Sequence, residues 1–140
     1  MRRSLALVPL LLASALTVGE AEAHGGIRAT SPGPVDVVAG STVTITAPTA
    51  RLSSDCSNSQ NGLDPSLRGV RYAWDIDDDG TYDVPASTSR DLDYSAALVP
   101  GPSDVPMRLQ VSCWYLDSNR PQLDTDDTQF LVRVDRKSVV

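Results

Sequence analysis

The segment from Asp75 to Asp83, which reads DIDDDGTYD, concentrates the groups most able to do chemistry in this sequence. Four of its carboxylates fall at the first, third, fifth and ninth positions of an EF-hand-like numbering: Asp75, Asp77, Asp79 and Asp83. Ca²⁺ is a hard cation that takes about six to eight oxygen ligands, and closely spaced carboxylates on a turning loop supply them. Gly80 at the sixth position permits a sharp turn. The spacing predicts a calcium site formed by these carboxylates and the backbone carbonyl of Thr81.

The same segment has a second interpretation, as a plain hairpin turn. Aspartates favour turns because their side chains hydrogen-bond the nearby backbone. The twelfth position is Ala86, where an EF-hand carries a bidentate glutamate, and no flanking helix is indicated. The sequence leaves calcium binding and a solvated turn both open. A further acidic group is expected to be a solvated hairpin at the opposite end of the domain: Asp124, Asp126 and Asp127.

The first 23 residues read as a secretory signal peptide. Two arginines follow Met1, an apolar stretch runs from Leu5 to Leu16, and Ala21 and Ala23 are small residues suited to cleavage. The apolar stretch is shorter than the roughly 20 residues that a bilayer requires. We expect cleavage near Ala23–His24 and a secreted protein, extracellular or periplasmic, without a membrane span. An uncleaved anchor or a buried core helix is the alternative.

Cleavage would place His24, the only histidine, at the N-terminus, where an amine and an imidazole together bind copper well. Secreted copper oxygenases that begin in this way need a second histidine, which the sequence lacks. Copper handling at His24 therefore stands as an alternative hypothesis. Catalysis is not expected, because no serine lies in a nucleophile motif and the paired carboxylates crowd on solvated turns.

Charge and cysteine content narrow the class of protein further. The formal net charge of −6 disfavours nucleic acid and anionic membranes as partners, because both repel an acidic surface. The two cysteines, Cys56 and Cys113, predict a disulfide in an exported chain, with two free thiols as the alternative.

Side-chain alternation with a period of two predicts an all-β domain without a convincing helix. The long candidate strand places Val111 and Cys113 on one face and Trp114 on the other. A long polar connection is expected from Pro48 to Gly69, and another from Asp117 to Asp127. The predicted strands cover residues 35–38, 41–47, 70–76, 90–96, 105–116 and 129–134.

The run YAWDIDDDGTYD, residues 72–83, resembles the signature of the PKD domain family. That family shows a Tyr-x-Trp-Asp strand, an Asp-Gly turn, a long alternating strand and a closing Val-x-Val strand, here Val132 and Val134. The resemblance implies an immunoglobulin-like antiparallel β-sandwich of about seven strands over residues 41–135. Residues 24–40 would form an N-terminal segment with a possible edge strand, and residues 136–140 a tail.

The resemblance also implies a function, because PKD-like modules usually accompany larger secreted proteins. We expect a non-catalytic extracellular interaction or adhesion module that contacts protein or polysaccharide at the cell surface. Trp114 is the candidate surface contact, since an exposed indole is an anchor of the type that interfaces favour; packing under the long loop is its alternative. A calcium-stabilised structural or assembly protein is the second hypothesis.

Overall fold

The computed structural model describes residues 26–58, 60–96 and 101–136. The predicted signal peptide, its cleavage junction and His24 lie outside these ranges. The described elements are, in order, β1 (Val35–Val38), β2 (Thr42–Thr46), α1 (Ser54–Asn58), two 3-10 turns (Gln60–Gly62 and Pro65–Leu67), β3 (Arg71–Asp75), β4 (Val84–Ser87), β5 (Asp91–Ser95), β6 (Ser103–Asp117) and β7 (Arg120–Asp135).

The all-β prediction is confirmed, with seven strands in two sheets over the described residues. One sheet has the order β1-β7-β6-β3-β4, and the other pairs β2 with β5. The strand pairs within residues 41–135 are antiparallel, as expected. The possible edge strand of the N-terminal segment is β1, which runs parallel to β7. This parallel pairing arises because the chain lays β1 along the edge of the large sheet before it crosses to the small sheet as β2.

Alternating residues of both sheets meet in one core. Met107, Leu109 and Val111 of β6 are fully buried, as the period of two predicts. The Trp74 ring meets the Phe130 ring edge to face, with 6.0 Å between centroids, and Ile45 and Leu92 of the small sheet belong to the same buried cluster. An aromatic pair in this geometry stabilises a core beyond its buried area alone.

The β6–β7 hairpin is longer than the sequence predicts. Pairing is continuous from Asp117–Arg120 to Ser103–Val134, so the expected polar connection at 117–127 is wrong. Ser118 and Asn119 form the turn, and both have positive φ, 52° and 66°. Two-residue turns with positive φ match the right-handed twist of paired strands and let the pairing continue to the turn.

The long connection after β2 is folded and attached to the large sheet. It contains α1 and both 3-10 turns, and the disulfide from Cys56 of α1 to Cys113 of β6 confirms the predicted bond. Gln60 donates to the carbonyls of Cys56 (2.7 Å) and Trp114 (3.2 Å), so this connection caps the open edge of β6 beyond the start of β3. No helix among the described residues is long and apolar enough to cross a membrane.

Candidate functional site

The acidic loop, residues 75–83, connects two neighbouring strands of the large sheet. Asp75 ends β3, and β4 begins at Val84, directly after Asp83. Within the loop Asp78 and Gly80 adopt positive φ, 54° and 92°, which reverses the chain within a few residues. Glycine adopts this conformation without steric cost, and aspartate tolerates it better than most residues.

The four predicted carboxylates converge. Asp75, Asp77, Asp79 and Asp83 each offer an oxygen, and these oxygens all lie within 4.8 Å of one another. Two ligand oxygens on opposite sides of a calcium ion stand about 4.6–5.2 Å apart, since Ca–O distances are 2.3–2.6 Å. The separations of these four oxygens are thus compatible with the ligand spacing of one calcium ion.

Asp75 is the buried member of the cluster, and the other three carboxylates are exposed to solvent. Its side chain is fully buried, and its two oxygens accept from the N–H groups of Asp79 (3.1 Å) and Gly80 (2.8 Å). The exposed carboxylates of Asp79 and Asp83 accept from Thr81 N–H (2.8 Å) and Ile76 N–H (2.9 Å). The loop thus holds its carboxylates in place with its own backbone.

Within the cluster, the pKa values of Asp75 and Asp77 are shifted in opposite directions. Burial raises the pKa of the Asp75 carboxyl, but the N–H donors of Gly80 and Asp79 outweigh it and hold the pKa below its ordinary value. Desolvation, the hydrogen bond shared with Asp75 and repulsion from Asp79 and Asp83 raise the pKa of Asp77. In the part of the chain that the structure describes, no arginine side chain pairs with these four carboxylates.

The fifth aspartate of the loop, Asp78, faces away from the cluster. Its carboxylate pairs with Arg108 Nε of β6 (3.0 Å) and accepts from Gln129 of β7. Tyr82 donates a long hydrogen bond to Asp127 (3.5 Å), which also pairs with Arg108 (3.3 Å). These contacts, which the sequence analysis missed, fasten the loop to the outer face of the large sheet. They depend on the register that places Asp75 opposite Arg108, which local spacing does not reveal.

The second acidic group divides between the two faces of β7 and is not a solvated hairpin. Asp124 and Asp126 pair with Cys113 and Val111, so they lie on the core-facing side of the sheet. Asp127 lies on the outer face and meets Arg108 beside the acidic loop, contrary to its expected place at the opposite end. The reason is that β7 begins at Arg120, and alternation along a strand separates neighbouring side chains.

Three predicted site residues lie outside the four converging carboxylates: Thr81, Trp114 and His24. Thr81 is exposed in the acidic loop, and ligation through its carbonyl stays a prediction. Trp114 is half-buried, and its cross-strand neighbour Leu123 is 50% exposed, so the two mark an apolar area on the outer face. His24 lies outside the described residues, and its copper role stays a prediction.

Comparison with known proteins adds no relatives. No protein-family model matches the chain, and neither a curated protein nor a solved structure matches it. The resemblance to the PKD family therefore depends on the residues of the 72–83 segment and on the strand pattern alone.

Proposed function

We propose that this chain is a secreted, non-catalytic binding module whose acidic loop takes up a calcium ion. The observation that carries the proposal is the convergence of four carboxylates within 4.8 Å, with no arginine partner among the described residues. Such a cluster is costly when it is fully ionised and empty, because like charges at this distance repel one another. A divalent cation removes that cost.

The chemistry of the donor set favours calcium over softer or smaller metals. All four side-chain donors are carboxylate oxygens, and hard cations prefer oxygen. Three of the four carboxylates are exposed, which leaves room for waters and the Thr81 carbonyl to complete a large coordination shell. Calcium tolerates irregular shells of this kind, whereas Mg²⁺ demands near-octahedral geometry. The bound ion would set the conformation of the β3–β4 connection.

Export is supported by two features in different parts of the chain. The disulfide between Cys56 and Cys113 is of a kind that persists in oxidising compartments and is rare in the cytosol. The N-terminal sequence carries the charge and apolar pattern of a signal peptide. Secretion is therefore part of the proposal, together with membership of the PKD or a wider immunoglobulin-like class.

The groups that are available support binding as the proposed role of the chain. The acidic loop is suited to holding a cation, and the half-buried Trp114 beside exposed Leu123 offers an apolar contact. Apolar and aromatic side chains on a sheet face suit a protein surface or the face of a sugar ring. The partner class is accordingly protein or polysaccharide at the cell surface, and a structural or assembly role set by calcium is the variant of this proposal.

Calcium titration of the mature protein tests the proposal. Calorimetry should show saturable binding, and calcium at about 100 times its Kd should raise Tm on the order of 10 °C relative to chelator. Asp77→Asn and Asp79→Asn should each abolish or strongly weaken the binding heat. Asp36→Asn is the matched control, because Asp36 is exposed on β1, three strands away from β3.

Two results would contradict this function. Absence of both the binding heat and the rise in Tm would leave the acidic loop as a hairpin stabilised by its own backbone. Equal binding by wild type and Asp77→Asn would place any calcium elsewhere on the acidic surface.

A further inference from the structure

A short segment at the start of the described chain, residues 26–29, crosses the end of the sandwich where the disulfide lies. Ile27 N–H donates to Asp124 Oδ2 (2.6 Å), and Ala29 N–H donates to Asp126 Oδ2 (2.8 Å). Between them Arg28 forms an isolated antiparallel bridge with Arg51, with N–O distances of 2.8 and 3.0 Å. We call residues 26–29 the N-terminal strap.

The strap is packed into the core and does not merely lie on the surface. The Ile27 side chain is 0% exposed and belongs to the same buried cluster as Cys56 and Cys113. Two of its hydrogen bonds end on side-chain carboxylates of β7, and the backbone bridge between Arg28 and Arg51 adds two more. The strap is therefore held by a few replaceable contacts, whereas the strands beside it are held by continuous pairing.

Asp124 connects the strap to the disulfide. It lies opposite Cys113 in the β6–β7 register, and its carboxylate lies within 4.8 Å of the sulfurs of Cys56 and Cys113. The two cysteines are 1% and 2% exposed. The carboxylate beside the sulfurs is the one that accepts from Ile27 N–H, so a thiolate that approaches from this side meets both the strap and a negative charge.

Both conditions oppose thiol–disulfide exchange. An external thiolate attacks one sulfur along the S–S axis, forms a mixed disulfide and releases the other cysteine as a thiolate. A second thiol, from the same dithiol molecule or from another monothiol molecule, then resolves the mixed disulfide. The protein bond thereby gains two electrons and the reductant is oxidised to its own disulfide. A nearby carboxylate repels the incoming thiolate and disfavours the departing one.

We propose that the N-terminal strap, latched by Asp124 and Asp126, is a guard that controls access of thiol reductants to the Cys56–Cys113 disulfide. The closed strap keeps the bond oxidised in the presence of external thiols. Release of the strap exposes the bond and, with it, the attachment of the 48–69 connection to the large sheet. The guard is independent of the calcium proposal, because it uses neither the acidic loop nor its anchors.

Reduction kinetics of the folded protein separate the contribution of the strap from that of the Asp124 charge. Asp126→Ala loosens the strap and keeps the charge at Asp124, and Gly26→Ala places a methyl group 2.8–2.9 Å from the Asp124 oxygens, which must shift. Both should speed reduction by dithiothreitol about tenfold, the loss expected for one fastening hydrogen bond. Alkylation of released thiols followed by mass spectrometry gives the rates.

Asp124→Asn tests the charge alone, because the amide oxygen can still accept from Ile27 N–H. Wild type should react more slowly with anionic mercaptoethanesulfonate than with cationic cysteamine, and Asp124→Asn should bring the two rates closer together. Asp104→Asn, an exposed aspartate at the far end of β6, should leave the ratio unchanged.

Global destabilisation is excluded by a matched variant. Ile45→Val removes one buried methylene from β2, and its free energy of unfolding can be compared with that of Asp126→Ala in urea. The guard requires faster reduction in the strap variants than in Ile45→Val at equal stability. Equal rates at equal stability, or wild-type rates in both strap variants, would overturn the proposal.

Discussion

The five aspartates of the acidic loop, residues 75–83, have two different roles, which depend on the local backbone conformation. Asp75, Asp77, Asp79 and Asp83 converge on one point, whereas Asp78 takes a left-handed conformation and turns to Arg108. Turning one carboxylate to an arginine removes part of the repulsion in the loop. It also fixes the loop against β6 and β7, which holds the converging carboxylates in place.

A first prediction follows for Asp78, which is an anchor and not a ligand. Asp78→Ala should weaken calcium binding about threefold to tenfold, because the free loop must then lose more conformational entropy on binding. Asp78→Asn, which keeps an acceptor for Arg108 and Gln129, should fall between Asp78→Ala and wild type. Calorimetry at fixed ionic strength measures both, with Asp36→Asn as the control for loss of an exposed negative charge.

An unchanged affinity in Asp78→Ala would mean that the loop needs no anchor. Loss of all binding would instead assign Asp78 to the coordination shell, against its contacts with Arg108 and Gln129.

At this scale the sequence predicted the four converging residues but not the anchor. Spacing along an acidic run identifies which carboxylates recur at alternate positions, and those positions are the ones that converge. The direction of Asp78 depends on its φ of 54° and on a partner 30 residues away, and neither is visible in local spacing. The burial of Asp75 likewise comes from the loop folding back over the end of β3.

Among the elements, the β6–β7 hairpin contributes both to the anchors of the acidic loop and to the contacts of the N-terminal strap. It supplies Arg108 and Asp127 to the acidic loop at one level, and Cys113 and Asp124 to the disulfide and strap at another. Its register is fixed by a two-residue turn, since a slip of one residue would exchange the core-facing and outward-facing sets.

A second prediction tests this turn. Asn119→Val should lower the free energy of unfolding by about 1–2 kcal/mol, because a β-branched residue resists the positive φ of 66°. Asn119→Gly should keep or raise stability, since glycine adopts that conformation freely. Urea unfolding of the two variants beside wild type gives the comparison, and equal stability of the valine and glycine variants would show that the turn does not fix the register.

Periodicity predicted most strands but missed the first half of β7. The missed residues read RPQLDTDDT, with aspartates at the core-facing positions Asp124 and Asp126 where a strand pattern requires apolar groups. Those carboxylates face the N-terminal strap, which satisfies them with N–H donors. The pattern failed because a polar partner replaces the apolar core at this end of the sheet.

For the molecule as a whole, sequence pattern indicated an all-β fold and the disulfide, but the arrangement of the N-terminal part could not be predicted. Two cysteines leave a single intramolecular pairing, and that pairing is present. The parallel β1–β7 contact and the strap depend on which edge of the large sheet stays open after the hairpin has formed. Local sequence does not indicate which edge of the large sheet stays open.

The last prediction concerns how independent the two ends of the molecule are. The disulfide joins residues 57 apart in sequence, so the double variant Cys56→Ala with Cys113→Ala should lose on the order of 4 kcal/mol of stability by the chain-entropy model. Cys113 lies five residues beyond Arg108, which is about 17 Å along β6 from the level of Asp75. In the described chain, the hydrogen bonds and ion pairs of the acidic loop and its anchors do not reach the disulfide-linked connection.

Calcium affinity should therefore stay within about twofold of wild type in the double variant, although urea unfolding shows the loss of stability. Both quantities are measured in the cold, where the variant remains folded, and saturating calcium should raise the Tm of both proteins by similar amounts. A large fall in affinity would show that strain passes along β6 from one end to the other. In that case the β6–β7 hairpin would couple the redox state of the disulfide to the calcium affinity of the acidic loop.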